Sequence, residues 1–329
     1  MPVPIETAFT KQIGIKYPII CGPMYPCSNP ELIAAVSEAG GIGVVQPLSL
    51  MYVHGYDLPK GLEKIKNLTN YQFGMNVIVE KSSEKHRQQM QKSVEIALEL
   101  GCRFFITSLG NPKWVVEAVK KVGGIVYHDV TSRKWAEKAI ESGVDGLICV
   151  NNRAGGHAGV HSAQELYDSL KSFGVPLICA GGIGNEDDFV RALKMGYAGV
   201  QMGTRFIATK ECSEMPDYKQ AIVDTDEKDI VLTERVTGIP LSVIRTPYVE
   251  QVGTKISPLS RLLFKYPLTK KWMRMWYGLT AMRRFKNSNL HGGSSKDYWQ
   301  AGKCVSNIHS VETVADVIEK FINAARSAD

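Results

Sequence analysis

Between residues 18 and 202, short apolar runs alternate with stretches of helical spacing. The runs fall at 18–21, 42–46, 73–78, 103–107, 124–128, 146–150, 176–180 and 199–202. Between them, sets such as Leu32, Ala35, Val36 and Ala39, or Trp135, Ala136, Ala139 and Ile140, recur as one face of a helix does, and Gly40, Gly101, Gly143 and Gly196 stand where helices commonly end. Strands alternating with helices at this rhythm imply parallel βαβ units. Eight such units close into a barrel, and although a doubly wound open sheet gives a similar string, the count favours closure. The expectation is an α/β chain forming a (β/α)8 TIM barrel over residues 1–212. A smaller, mostly helical C-terminal cap domain then follows over 213–310, above the strand ends. Residues 311–325, amphipathic, form a last helix that packs back on the barrel. The polar, turn-rich stretch 211–229 reads as a linker.

Composition narrows the setting. At 329 residues and 44% apolar, the chain can bury a full core. The first ten residues carry Pro2, Pro4 and Glu6 and no apolar run, and nothing downstream approaches a spanning helix of about 20 residues, so the cytoplasm is the expected address. The seven cysteines are scattered and form no CxxC pair, which suggests neither a disulfide framework nor a metal site. Cys27, with no base beside it in sequence, reads as a structural thiol. Charge matters through its placement: of the 39 Lys and Arg, ten lie in 251–296, where there is no Asp or Glu, leaving 29 bases against 33 acids elsewhere. Leu262, Leu263, Phe264, Tyr266, Trp272, Met275, Trp276 and Tyr277 interleave with those bases. The simplest reading is a cationic cover with an apolar underside packed on the barrel. Docking of an acidic coenzyme A or carrier-protein thioester is a sharper one, as is a membrane surface, although membrane contact is not the expectation. No nucleic-acid motif is present.

In a barrel of this kind the working residues lie at the C-terminal ends of the strands. The seventh run leads into Gly181, Gly182, Ile183 and Gly184, and the eighth, through Gln201 and Met202, into Gly203 and Thr204. Glycines there let backbone N–H groups approach an oxyanion, Thr204 adds a hydroxyl, and a following helix adds its positive end. Two adjacent clusters of this type, placed after strands seven and eight, read as a phosphate cradle for a flavin, a nucleotide or a sugar phosphate. The first run leads into Gly22, Pro23 and Met24, the third contains Asn76, and the sixth leads into Ala154, Gly155, Gly156 and His157. A histidine among glycines has little packing to explain it, and glycines let a flat ring lie against the backbone, so His157 is the candidate for chemistry. His54, His86, His291 and His309 read as ordinary residues, and His161 stays open.

These strings, in this order, resemble the nitronate monooxygenase (2-nitropropane dioxygenase) family: PIICGPM at 18–24, ELIAAVSEAGGIG at 31–43, GMNV at 74–77, AGGHAG at 154–159, AGGIG at 180–184 and QMGTRF at 201–206. The likeness runs through residues 10–212, with a weaker echo at 298–305. The FMN-dependent enoyl-acyl-carrier-protein reductases are similar in the same motifs. The resemblance implies FMN as cofactor, held at Gly22, Pro23, Met24, Asn76, Asp129, Ala154, Gly155, Gly156, Gly181, Gly182, Gln201, Met202, Gly203 and Thr204, with His157 beside its ring. It implies oxidation of a nitronate by O2 to a carbonyl compound and nitrite. The alternative is an NAD(P)H-dependent reductase of an enoyl thioester or quinone, and a second alternative is a non-catalytic flavin-binding or membrane-associated protein. Some relatives carry a Lys or another residue at the fifth strand end where this chain has His128 and Asp129. The pair is therefore an auxiliary candidate, Asp129 as a base, as an orienter of His128 or as a structural carboxylate.

Overall fold

Eight parallel strands close on themselves in the computed structural model of the chain, which describes residues 4–79, 84–263 and 298–328 together with 266, 269, 272, 273, 276, 277 and 280. The strands are β1 Ile19–Cys21, β2 Ile42–Val45, β3 Gly74–Ile78, β4 Phe104–Ser108, β5 Ile125–Val130, β6 Gly146–Val150, β7 Leu177–Ala180 and β8 Gly199–Met202. They pair in sequence order, and β8 returns to β1 with Gln201 opposite Ile20. The TIM barrel expected from the eight apolar runs is thus observed. The strand ends move only slightly, most at β5, which continues through Asp129 to Val130.

Strand side chains alternate between two faces, and both faces here are dry. Ile20, Val44, Ile106, Tyr127, Ile148 and Ile178 fill the barrel, while Ile19, Val45, Met75, Phe105, Val126 and Leu147 pack beneath the surrounding helices. The N-terminal end of the barrel is stoppered by the helix Ala8–Ile13, whose start is fixed by a reciprocal cap between Thr7 and Thr10. Phe9 from this helix meets Tyr127 at 5.6 Å and Phe104 at 6.0 Å between ring centroids, and the Tyr127 hydroxyl donates to Gln12 Oε1 at 2.6 Å. Phe9→Ala would open a cavity in a wholly buried cluster and cost about 3–5 kcal/mol. Closing that end leaves the opposite mouth, where the strands end, as the accessible face.

Beyond β8 the stretch 211–229, expected as a linker, is packed instead. Pro216 opens the helix Pro216–Asp224, where a first-turn proline is at home, and Tyr218 and Ile222, one turn apart, are buried. Tyr218 stacks on Trp299 and donates its hydroxyl to Gln300 O at 2.5 Å. An antiparallel hairpin follows, β9 Ile230–Thr233 with β10 Leu241–Ile244, of which the apolar pattern carried no sign. β10 is stitched to the barrel by Ser242 N donating to Gly156 O at 2.7 Å and Ile244 N donating to Trp299 O at 2.8 Å. Helices Pro247–Val252 and Pro258–Leu263 come next.

The C-terminal helix Val314–Ser327 buries Val317, Ile318, Phe321 and Ile322, with Phe321 stacked on Phe189 at 5.6 Å. In the basic segment, Leu262, Tyr266, Trp272 and Trp276 are exposed, and Tyr277 is buried with its ring edge-on to Trp276. The apolar underside expected there is thus carried, among the described residues, by Tyr277, while the two tryptophans face solvent. Most of that segment, His291 included, lies outside the described residues. Among the described residues no helix is long and apolar enough to cross a membrane.

Candidate active site

Strand alternation sorts the polar residues at the mouth. Asn76, Asp129 and Gln201 stand on the interior side of β3, β5 and β8, since Met75, Val126, Val130, Val200 and Met202 of the same strands belong to the outer layer. Asn76 is anchored by its Nδ2 donating to Ile106 O at 3.0 Å. Asp129 Oδ1 and Gln201 Oε1 are buried and have no hydrogen-bond partner among the described residues. Buried acceptors left bare are costly, so two of them in one barrel mouth mark a place that a ligand completes.

His128 lies on the other face. Its Nδ1 is 2.8 Å from Thr107 Oγ1, whose own proton goes to Tyr127 O at 3.1 Å, so His128 is the donor in that pair. Burial lowers its pKa to about 4. The suggestion that Asp129 orients His128 is therefore corrected: adjacent residues of one strand point to opposite sides, and His128 is a packed, neutral residue away from the mouth. Met202 also turns its side chain into the outer layer, so only its backbone faces the glycine loops, with its carbonyl accepting from Gly22 N at 2.9 Å.

The structure brings the glycine loops together in two groups. In the first, Gly22 lies against the Gln201 side chain, and Gly203 sits beside Met24, whose Sδ would be 3.2 Å from an added Cβ. Pro23 between them is half-buried. In the second, Gly181 has φ +111° and no room for a side chain: an added Cβ would lie 2.5 Å from Asn151 Oδ1 and 2.6 Å from Ala154 N. Asn151 fixes the turn by donating to Gly181 O at 2.8 Å and accepting from Arg153 N at 2.8 Å. Gly182 packs on the Arg153 side chain and Gly155 on Gly302. Thr204 is buried, and its Oγ1 accepts from Gly302 N at 3.0 Å. The helix after Gly203 is the single turn Thr204–Ile207, so what this loop offers an anion is N–H groups rather than a long helix dipole. Backbone loops of this shape with bare interior acceptors fit a group having a phosphate at one end and a polar ring system at the other.

His157 projects from the loop between β6 and the following helix, which is held open by Gly156 at φ +69°. The ring reaches solvent at the mouth, and its Nε2 is 3.1 Å from Thr237 Oγ1 in the hairpin turn. Protein surrounding the ring lowers its pKa from the ordinary imidazole value, as on a cleft wall that is open at one side. His161 is exposed, and its carbonyl accepts from Asn152 N at 2.8 Å.

Three participants escaped the sequence reading. Thr237 meets His157. Gly302 closes on the loop of Ala154 and Gly155. Arg153, one residue into that loop, makes a two-pronged pair with Glu227, with Nη2 at 2.5 Å from Oε2. No local motif announces the first or the third, whereas the glycine at 302 falls inside the weaker echo at 298–305. Cys27 is buried, with its carbonyl accepting from Cys212 Sγ, and burial pushes its thiol pKa well above the ordinary value, so it is no nucleophile. Among the described residues no cluster of His, Cys, Asp and Glu is arranged to hold a metal ion.

Comparison with known proteins adds the following. Residues 6–323 match the family model described as nitronate monooxygenase. A (3aS,4S,5R,7aS)-5-hydroxy-7a-methyl-1-oxo-octahydro-1H-indene-4-carboxyl-CoA dehydrogenase of Rhodococcus jostii is 27% identical over 97% of this chain and 95% of its own length. A probable nitronate monooxygenase of Staphylococcus saprophyticus is 26% identical over 76% of this chain and 81% of its own. Among solved structures, FabK from Thermotoga maritima superposes with a TM-score of 0.83 at 27% identity, covering 98% of this chain and 97% of that one.

Proposed function

The chain belongs to the nitronate monooxygenase family, and from that membership we propose that it is an FMN-dependent oxidoreductase that oxidises a carbon acid, with a nitronate or its parent nitroalkane as substrate. The observation that carries this reading is His157: a solvent-reachable imidazole with a lowered pKa, set on the glycine loop that follows β6 and held at Nε2 by Thr237. An imidazole that is neutral at pH 7 takes a proton more readily than it gives one. That suits removal of the proton next to a nitro group better than donation to an enolate.

FMN, when bound, supplies an electron acceptor that O2 can reoxidise. Gly181, Gly182, Gly203 and Thr204 would hold its phosphate through backbone N–H groups, with Gly22, Met24, Ala154, Gly155 and Gly156 lining the approach. Asn76 and Gln201 would meet the polar edge of the ring. Thr237 Oγ1 donates its proton to Ile239 O at 3.0 Å, so toward His157 it acts as acceptor, and Nε2 carries the ring proton. Nδ1 is left with a lone pair to receive the proton of the substrate carbon.

An acyl thioester is a second reading, with one observation in its favour. The Rhodococcus carboxyl-CoA dehydrogenase aligns over 97% of the chain against 76% for the staphylococcal relative, and 251–296 holds ten bases and no acid. Phosphate-rich coenzyme A suits such a segment. Anaerobic mixing of FMN-loaded protein separates the readings. Bleaching of the flavin by propyl-2-nitronate alone supports the first, bleaching by a saturated acyl-CoA supports the second, and rapid bleaching by NADH or NADPH with neither substrate effective defeats both in favour of a nicotinamide-dependent reductase.

A further inference from the structure

Asp129 brings a carboxyl into the barrel mouth, and among the described residues no cation pairs with it. It shares its side of β5 with Tyr127 of the interior cluster, while His128 turns outward to Thr107. The flanking strands offer nothing charged: in register, β4 sets Thr107 against His128, and β6 sets Ile148 against Asp129. Oδ1 is buried without a hydrogen-bond partner among the described residues, and across the mouth Gln201 Oε1 is in the same condition. Burial alone acts on this carboxyl, and it raises the pKa to about 7, with no charged side chain among the described residues contributing. A structural carboxylate would have its oxygens satisfied by backbone N–H groups or an arginine. This one is kept bare on the side from which barrels work.

We propose that Asp129 faces the ring system of the bound flavin and holds its reduction potential down, because electrons entering the ring place negative charge beside a carboxylate. The inference rests on the FMN reading and extends it to the choice of electron donor. A flavin held at low potential is a poor acceptor from weak donors, so only a substrate already deprotonated to an electron-rich anion reduces it well. The group that makes that anion, His157, and the group that demands it, Asp129, then stand on the loop after β6 and on β5, adjacent strands of one barrel.

The test is the midpoint potential of FMN-loaded protein at pH 8, where the carboxyl is ionised, titrated with xanthine and xanthine oxidase against a reference dye. Asp129→Asn keeps the shape and removes the charge; it should raise the potential by about 30–60 mV, a ten- to hundred-fold shift in the two-electron equilibrium. Asp129→Glu, which keeps the charge, should stay near the wild type. A yellow Asp129→Asn protein with the wild-type potential overturns the proposal. Should that variant fail to fold, the wild type decides. On reduction the ring takes two electrons from the titrant and the carboxylate takes a proton from solvent, so the potential should fall with pH more steeply than that of free FMN between pH 7 and 9. A slope equal to that of free FMN overturns the proposal. Protein that stays colourless with added FMN removes the flavin reading and this one with it, and is told apart by the missing colour.

Discussion

Thr237 Oγ1 stands 3.1 Å from His157 Nε2 while its own proton is committed to Ile239 O, so a turn of the cap hairpin dictates which nitrogen of a barrel-loop histidine is free. The hydrogen bond steadies the protonated ring more than the neutral one, because its acceptor faces an N–H that gains charge. Thr237→Val should therefore move the acid limb of the kcat/KM profile to lower pH. It should also lower turnover by about five- to tenfold, as expected for the loss of about 1 kcal/mol of orientation. Thr237→Ser should restore both. An acid limb that stays in place in the valine variant refutes the assignment of Nε2 as donor.

Replacing His157 itself separates chemistry from binding. The loop around it is shaped by Gly156 and by the Ser242 N–H to Gly156 O bond, neither of which uses the imidazole. His157→Ala should keep FMN and the fold but lose about two to four orders of magnitude in turnover when proton transfer limits the rate. Unchanged turnover with a carbon acid as substrate would remove His157 from the mechanism.

The cradle makes the opposite prediction. Gly181 combines φ +111° with a Cβ position already occupied by Asn151 and Ala154 atoms. Gly181→Ala must push that loop away from Asn151 and Ala154, at a backbone cost of about 1–3 kcal/mol. The purified variant should be folded by circular dichroism and colourless, and should bind added FMN at least tenfold more weakly by fluorescence quenching. Stoichiometric yellow protein would place the phosphate elsewhere.

Much of this was legible in the chain, and the rest was hidden for physical reasons. The eight strands announced themselves because each is buried on both faces and so reads as an unbroken apolar run. The glycine loops were visible because close backbone approach tolerates little else. Thr237, 80 residues from its partner, and Glu227, 74 residues from Arg153, are ordinary turn residues whose meaning comes from a hairpin that the apolar pattern does not reveal. The roles of His128 and Asp129 turned on strand length. Reading β5 as ending at His128 left Asp129 in a loop, free to turn back toward its neighbour. Continuing it to Val130 sends one outward and the other into the mouth.

His128 then supplies a pH signature that is independent of any cofactor. In the folded protein its pKa is about 4, against 6.5 for an unburied imidazole. Between those values the unfolded chain takes up a proton that the folded chain refuses, so stability drains away as pH falls from 6.5 toward 4, by roughly 3 kcal/mol in all. Asp129 and Glu214, both raised to about 7 by burial, act in the other direction: they favour the folded state at low pH and lose that contribution as pH rises through 7. The useful quantity is therefore the difference between wild type and His128→Asn, which keeps a donor toward Thr107 but cannot be protonated in this range. Urea unfolding of the cofactor-free proteins from pH 4 to 8 should show the variant less stable by about 1–2 kcal/mol at pH 8. The gap should close, and then reverse, toward pH 4. A gap that stays constant across the range would mean that His128 is protonated in the folded protein and that its surroundings are wetter than the packing around Thr107 implies.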